Sequence, residues 1–183
     1  RDYRRLALDA ADRAEQLDRT LSVPYAVRGS VIFDMIGFGE SDDWQTSLSN
    51  LSEAIARDPN NSSAWFWRGV DFLFLGFFDR AIADIGRCVE IDPAYAYCGK
   101  WLAFAHLLAG HEDKALLGYE HNKEAVFTSE AVFAAAYVRR GDHRAANSVL
   151  AAQYADVPAL VPALFRAMTD PSFSNADRRN ALA

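Results

Sequence analysis

The sequence has no surplus of positive charge and no long apolar run, and each shortage excludes a class of protein. Its 183 residues carry 19 Lys and Arg against 25 Asp and Glu, which gives a formal net charge of −6. Nucleic-acid binding needs a surplus of basic side chains to contact the phosphates, so we expect no nucleic-acid binding by this segment. No apolar stretch reaches the ~20 residues of a membrane-spanning helix, so no membrane span is expected in this segment either.

The motifs of common catalytic and metal centres are also missing. The four histidines come without an HExxH motif or a cysteine-rich spacing, so no metal site is predicted. The glycines form neither a GxGxxG motif nor a phosphate-binding loop, and there is no serine elbow motif. Neighbouring carboxylates such as Asp42 and Asp43 stand at predicted helix starts, where negative charge complements the helix dipole. We therefore predict no catalytic residue, no metal and no cofactor, and a protein that is not an enzyme.

What the sequence does have is a period of 34 residues. Three pairs of identical residues are separated by this interval: Pro59 and Pro93, Gly76 and Gly110, Ala81 and Ala115. Such a period is typical of helix–turn–helix units that cannot bury their apolar faces alone and therefore stack on their neighbours. The sequence thus predicts an all-α fold whose stacked hairpins curve around a groove.

The unit from Ser62 to about Pro93 shows the pattern most clearly. Small residues that let paired helices approach alternate with large residues that fill the space around them, in the order Trp65, Gly69, Phe72, Ala81, Ile85 and Pro93. This order resembles the signature of the tetratricopeptide repeat (TPR) family. The resemblance implies a right-handed α–α superhelix of TPR-like hairpins with a C-terminal closing helix.

The resemblance extends more weakly over most of the chain, which we read as one domain over residues 1–183. The predicted elements are a first helix (2–19), four repeats (about 22–59, 62–93, 96–127 and 129–153), a closing helix (about 157–169) and a polar tail (171–183). In the third repeat Phe127 replaces the final proline. Pro158 suits the first turn of the closing helix, whereas Pro162 means that this helix either kinks or starts later.

One departure from the signature affects the interior of a hairpin. The leucine of the first helix is replaced by Arg68, and by Arg28 in the first repeat. An arginine between packed helices is costly unless it is paired. Asp84 on the second helix should face Arg68, so we predict a structural ion pair between them. The alternative is that Arg68 extends to solvent and buries only its methylenes.

The two cysteines are too few for a disulfide scaffold or a zinc site. Cys88 occupies a place where the signature has a small residue, so we predict a buried structural thiol. Cys98 opens the next helix, and a bridge between the two is the alternative if the parent protein is periplasmic.

In TPR domains the inner face of the superhelix is lined mainly by first-helix residues outside the packing signature. By this resemblance the partner-binding groove contains Phe66, Val70, Leu73, Phe74, Lys100, Phe104, Leu107 and Arg139. The same helical phase adds Ala26, Ser30, Phe33 and Asp34 from the first repeat, Leu108 from the third, and Ala131, Ala135 and Val138 from the fourth. Such an apolar lining suits an amphipathic helix or an extended apolar segment.

Seven aromatic residues between positions 65 and 78 are too many for one helix to bury against its own partner. They predict a core with additional helices folded onto it, a ligand groove, or a surface for self-association. The main hypothesis is binding of a protein or peptide partner. The alternatives are a dimerisation domain and a small-molecule sensor with Trp67 and Phe74 as pocket walls.

The R-G and A-I-A-D variants and the irregular flanking repeats resemble the C-terminal TPR domains of bacterial winged-helix transcriptional regulators. That resemblance implies a regulatory domain whose DNA reader would lie upstream. Because the chain begins at Arg1 inside a predicted helix, we expect a fragment of a longer protein. The compartment, cytoplasmic or periplasmic, stays open.

Overall fold

The computed structural model describes residues 2–122 and 130–170. Over these ranges the chain forms ten α-helices and no strand, which confirms the predicted all-α class. The helices are α1 (Asp2–Leu17), α2 (Val23–Gly37), α3 (Trp44–Arg57), α4 (Ser62–Phe74), α5 (Phe78–Ile91), α6 (Ala96–Leu108), α7 (Glu112–His121), α8 (Ala131–Arg139), α9 (His143–Gln153) and α10 (Leu160–Thr169). Of the described helices, none combines the length and the apolar character needed to cross a bilayer.

The helices pack in chain order as a solenoid. α2 and α3, α4 and α5, α6 and α7, and α8 and α9 form four hairpins, and each hairpin packs on the next. α1 packs on α2 at one end, and α10 packs on α9 and α8 at the other. α10 therefore takes the place that the first helix of a further hairpin would occupy, as expected for a closing helix.

Local sequence signals fix where the helices begin and end. The carboxylate or amide oxygen of Asp43, Asn61 and Asp142 accepts a hydrogen bond from a backbone N–H in the first turn of α3, α4 and α9. Gly76 and Gly110 have φ values of 82° and 79° in the turns after α4 and α6. Only glycine adopts this left-handed conformation without strain, so the glycines of the 34-residue period are turn residues.

The small residues of the signature stand where helices touch. A Cβ atom added to Gly69 would lie 2.5 Å from Ile85 Cγ1 and 3.0 Å from the Ile85 backbone nitrogen. A Cβ atom at Gly29 would lie 2.4 Å from Leu51 Cγ. Any larger residue would push the two helices of these hairpins apart.

The end elements differ slightly from their predicted bounds. α1 ends at Leu17, before position 19, and α10 begins at Leu160, after position 157. Pro162 is the third residue of α10, where its missing N–H removes no intrahelical hydrogen bond, so of the two alternatives the helix starts late. Phe127, Ser129 and the predicted tail 171–183 lie outside the described residues.

A disulfide joins the second hairpin to the third. Cys88 of α5 and Cys98 of α6 are both fully buried and are bonded to each other, with their Cα atoms 6.2 Å apart. The prediction of a free buried thiol at Cys88 was therefore wrong. The stacking of α6 on α5 brings the two Cα atoms within the separation that a disulfide can span.

Candidate partner-binding surface

The structure contains the expected ion pair inside the second hairpin. Arg68 Nε donates to Asp84 Oδ2 at 2.7 Å, and Arg68 Nη2 donates to Asp84 Oδ1 at 3.0 Å. The guanidinium carbon also lies 4.9 Å from the centroid of the Trp65 ring. Two parallel hydrogen bonds satisfy the buried carboxylate, so Arg68 acts within the fold and does not extend freely to solvent.

Three residues predicted for the groove are buried in the seam between hairpins. Phe66, Val70 and Leu73 are at most 3% exposed, so no partner can contact them in this conformation. The ring of Phe66 lies 5.4 Å from that of Tyr97 and 6.1 Å from that of Trp101, measured between centroids. Aromatic side chains of the third hairpin pack against them.

Lys100 is also buried and is not a groove residue. Its Nζ lies 3.0 Å from Glu130 Oε1 and 4.2 Å from the centroid of the Tyr119 ring. The Tyr119 hydroxyl donates to Glu130 Oε2 at 3.0 Å. Burial, and then the charge of Glu130, raises the pKa of Tyr119 above its ordinary value. This cluster holds the start of α8 against α6 and α7, which is a structural role.

Phe74 remains accessible and belongs to a line of contacting rings on the inner side. Its side chain is 59% exposed, and its ring lies 5.4 Å from Phe33 and 6.4 Å from Trp101. We call the connected rings the aromatic row, which consists of Trp44, Phe33, Trp67, Phe74, Trp101 and Phe104. The row crosses the first three hairpins, and its members other than Phe74 are half-buried.

The last hairpin and the closing helix enclose an apolar hollow, which we call the C-terminal groove. Its volume is about 480 Å³. It is lined by Ala131, Val132, Ala135, Val138 and Arg139 of α8, by Leu150 of α9, and by Leu164, Ala167 and Met168 of α10. Of the described residues in this lining, Arg139 alone is charged, and its Nε donates to Glu112 Oε1. Leu107 is half-buried and packs against the neighbouring C-terminal core.

The C-terminal groove exists because small residues replace large ones. Counted back from the turn glycine, Phe66 and Ala131 stand ten positions before it in their hairpins, and Val70 and Ala135 stand six positions before it. The side chains that fill the seam of α4 are thus alanines in α8. On the opposite wall α10 contributes Leu164, Ala167 and Met168, whereas α6 contributes the rings of Tyr97 and Trp101. The phase predicted Ala131, Ala135 and Val138, but only the packing shows that they line a hollow.

A second hollow, of about 540 Å³, lies between α1, α2 and α3 and is lined by charged side chains. The charged side chains of Asp12, Glu15, Arg28 and Arg57 in this lining are already paired within the protein. Arg28 Nη2 contacts Asp12 Oδ1 at 2.8 Å and Glu15 Oε2 at 2.5 Å, and Arg57 Nε contacts Glu53 Oε1 at 2.8 Å. A ligand there would have to break these pairs, so the apolar C-terminal groove is the better candidate despite its smaller volume.

Comparisons with known proteins agree with the fold. No family model matches the chain. A stretch of 84 residues, 46% of the chain, is 26% identical to Hsp70-Hsp90 organizing protein 3 of Arabidopsis thaliana and spans 14% of that protein's length. The solved structure of YrrB, described as a TPR protein with an unusual peptide-binding site, is similar with a TM-score of 0.69 and 15% identity, over 94% of this chain and 87% of that one.

Two further solved structures show the same architecture. TTC0263, a thermophilic TPR protein of Thermus thermophilus, has a TM-score of 0.64 and 15% identity, with 88% of each chain covered. MamA has a TM-score of 0.61 and 16% identity, over 78% of this chain and 81% of that chain. At these identities the likeness shows the fold alone, which is the TPR-like α–α superhelix expected from the sequence.

Proposed function

We propose that this chain is a non-catalytic protein-interaction module that binds an apolar helix of a partner in the C-terminal groove. The observation that carries the proposal is an apolar trough walled by α8 and α10 and floored by Leu150 of α9. An amphipathic helix places apolar residues at i, i+3, i+4 and i+7 along one face, and such a face fills a trough between two helices. The peptide-binding site described for YrrB supports the proposal as an analogy of fold.

Arg139 supplies a charged side chain that can orient a partner in the C-terminal groove. It lies at the end of α8 and shares the lining with apolar side chains. A carboxylate on the rim of the partner helix can join or replace Glu112 as the acceptor for Arg139. The preferred partner is therefore an amphipathic helix with an acidic residue beside its apolar face.

The small-molecule alternative needs a space between Trp67 and Phe74, and Phe33 occupies that space. The Phe33 ring contacts Trp67 at 5.5 Å and Phe74 at 5.4 Å between centroids. A pocket with those two walls would require Phe33 to move. In the setting of the regulators that the sequence resembles, the module would serve as the sensor domain through its protein partner.

The proposal is tested by selection from a displayed library of helical peptides with apolar residues at i, i+3, i+4 and i+7. Peptides selected on the 183-residue chain are then titrated by fluorescence anisotropy. Ala135→Phe fills the C-terminal groove and should weaken binding roughly tenfold or more, because buried aromatic and aliphatic anchors dominate such interfaces. Ala151→Phe, on the exposed side of α9, is the matched control and should bind as the unmodified chain does.

Equal binding by Ala135→Phe and the unmodified chain would refute the proposed site. Selected peptides that lose affinity in Phe74→Ala but not in Ala135→Phe would move the binding surface to the aromatic row. A chain that sediments as a dimer, and whose dimer is lost in Ala135→Phe, would show that the groove serves self-association.

A further inference from the structure

The seam between the first and second hairpins contains a buried carboxyl group. Asp71 on α4 is fully buried, and its Oδ2 lies 2.6 Å from the Oγ of Ser47 on α3. Ser47 Oγ also lies 3.1 Å from the carbonyl oxygen of Gly29 on α2. The other carboxyl oxygen, Asp71 Oδ1, is buried without a hydrogen-bond partner among the described residues. Three helices therefore meet at one acidic side chain.

The same positions are alanines in the later seams. Asp71 stands five positions before its turn glycine, and Ala105 and Ala136 stand there in the third and fourth hairpins. Ser47 precedes Ala81, its equivalent in the second hairpin, by one 34-residue period. All three alanines are fully buried. In the later seams an alanine of each helix stands at these two places. In the seam between the first and second hairpins both alanines are replaced, by Ser47 and Asp71, and among the described seams this is the one with such a polar pair.

Within residues 2–122 and 130–170, no cation compensates the Asp71 carboxyl group. Burial raises the pKa of Asp71 to about 7, and the hydrogen bond from Ser47 opposes that shift only in part. The cationic side chains of the surrounding helices contact other groups. Arg28 faces Asp12 and Glu15, Asp34 faces Arg4, Arg57 faces Glu53, Arg68 faces Asp84, Arg80 lies over Phe72 and Phe77, and Lys100 faces Glu130.

We propose that Ser47 and Asp71 form a pH-sensitive joint, in which the neutral carboxyl group holds α4 against α2 and α3 and the ionised group weakens that packing. In the neutral state the Asp71 O–H donates to Ser47 Oγ, and the Ser47 O–H donates to the Gly29 carbonyl oxygen. After ionisation the single Ser47 proton can serve either the carboxylate or that carbonyl, but not both. One acceptor then stays unpaired, and a charge stays buried without a counter-ion.

The Ser47–Asp71 joint affects the inner face, because the aromatic row runs across the same pair of helices. Phe33 of α2 contacts Trp67 and Phe74 of α4, so these ring contacts depend on how α2 and α4 pack. The C-terminal groove belongs to helices α8 to α10 and lies outside this seam. The inference therefore stands apart from the proposed function and can be tested without any partner.

The test is the pH dependence of unfolding in urea, compared with Asp71→Asn. A carboxyl group with a raised pKa binds its proton more tightly in the folded state, so the stability it contributes is lost as pH rises from about 4 through about 7. Between about pH 5 and about pH 8 the unfolding constant of the unmodified chain should rise roughly 10- to 100-fold more than that of Asp71→Asn. Asparagine mimics the neutral carboxyl group, because its amide can donate to Ser47 Oγ.

A second variant and a local readout keep the inference testable if Asp71→Asn folds poorly. Ser47→Ala with Asp71→Ala restores the alanine pair of the other seams and should also lose the excess pH dependence. Glu53→Gln, on the exposed side of α3, should keep it. Amide hydrogen exchange at about pH 8 should be faster in α2 to α4 of the unmodified chain than in Asp71→Asn, and equal in α8 and α9. The same pH dependence in all variants, or exchange that rises equally in every hairpin, would overturn the joint.

Discussion

The second and fourth hairpins share one backbone design and differ in what fills the space beside their first helices. Beside α4 the side chains of Phe66 and Val70 fill the seam, and rings of the third hairpin cover it. Beside α8 the equivalent residues are Ala131 and Ala135, and a hollow of about 480 Å³ remains. The period decides that hairpins stack, whereas side-chain volume at a few inner positions decides whether the stacked surface keeps a hollow.

The largest effect is expected when the side chain that fills the seam beside α4 is removed. Phe66→Ala should lower the free energy of unfolding by about 3–5 kcal/mol, because it removes a fully buried ring and leaves a cavity. Phe74→Ala, eight residues along the same helix and exposed, should lower it by less than about 1 kcal/mol. Urea unfolding followed by circular dichroism measures both. Equal losses for the two variants would show that the seam beside α4 is not closed.

The next largest loss of stability should come from removing the disulfide, which links the second hairpin to the third. It has no counterpart among the described residues of the fourth hairpin. Replacing Cys88 and Cys98 together by alanine should lower the free energy of unfolding by about 2–3 kcal/mol, the value expected for closing a short loop. Alanine stands at the equivalent positions 54 and 64, so the double variant should pack without strain.

Reductant provides the control for the disulfide. It should destabilise the unmodified chain by a similar amount and leave the double alanine variant unchanged. If reductant has no effect on the unmodified chain, the two cysteines are not bonded in solution.

The second and fourth hairpins also differ inside, where the second contains an ion pair and the fourth an apolar pair. Where the second hairpin has Arg68 and Asp84, the fourth has the apolar Phe133 and Val149. Asp84→Ala should lower the free energy of unfolding by about 1–3 kcal/mol, because it leaves the half-buried Arg68 without a carboxylate to pair with. Arg68→Leu combined with Asp84→Val should restore a stability near that of the unmodified chain, since apolar pairs often replace buried ion pairs without loss. A double variant as unstable as Asp84→Ala would contradict this reading.

The smallest effect is expected where the seam is open. Ala135→Leu should change the free energy of unfolding by no more than about 1 kcal/mol, because the added atoms enter a hollow. Its neighbour Ala136 is fully buried, and Ala136→Leu should cost about 1–3 kcal/mol through overpacking. Thermal unfolding of the two variants tests the contrast on adjacent residues of one helix. A loss for Ala135→Leu as large as for Ala136→Leu would show a closed groove.

The fold was predictable because its signals are local and periodic. The turn glycines, the capping residues and the pairing of Arg68 with Asp84 all follow from positions within one hairpin. The accessibility of the inner face was not predictable in the same way. The burial of Phe66 depends on rings from the next hairpin, and the burial of Lys100 depends on Glu130, 30 residues later.

Two other features also arise from contacts between hairpins. Cys88 and Cys98 meet only because α6 stacks on α5. The Ser47 and Asp71 pair is visible in the sequence only after equivalent positions of the hairpins are compared. Ser47 lies one 34-residue period before Ala81, and Asp71 stands at a distance from its turn glycine where the third and fourth hairpins have alanine. Comparing equivalent positions for volume and polarity, as well as for the repeat signature, is the signal that could have indicated the C-terminal groove.

The inner surface is open at α8 and α10 and closed at α4. Methyl-resolved NMR of the chain, titrated with a selected helical peptide, distinguishes the two regions. We expect methyl signals of Ala131, Ala135, Val138 and Ala167 to shift on binding while those of Val70 and Leu73 stay in place. Shifts of Val70 and Leu73 with unchanged signals from α8 and α10 would contradict this expectation.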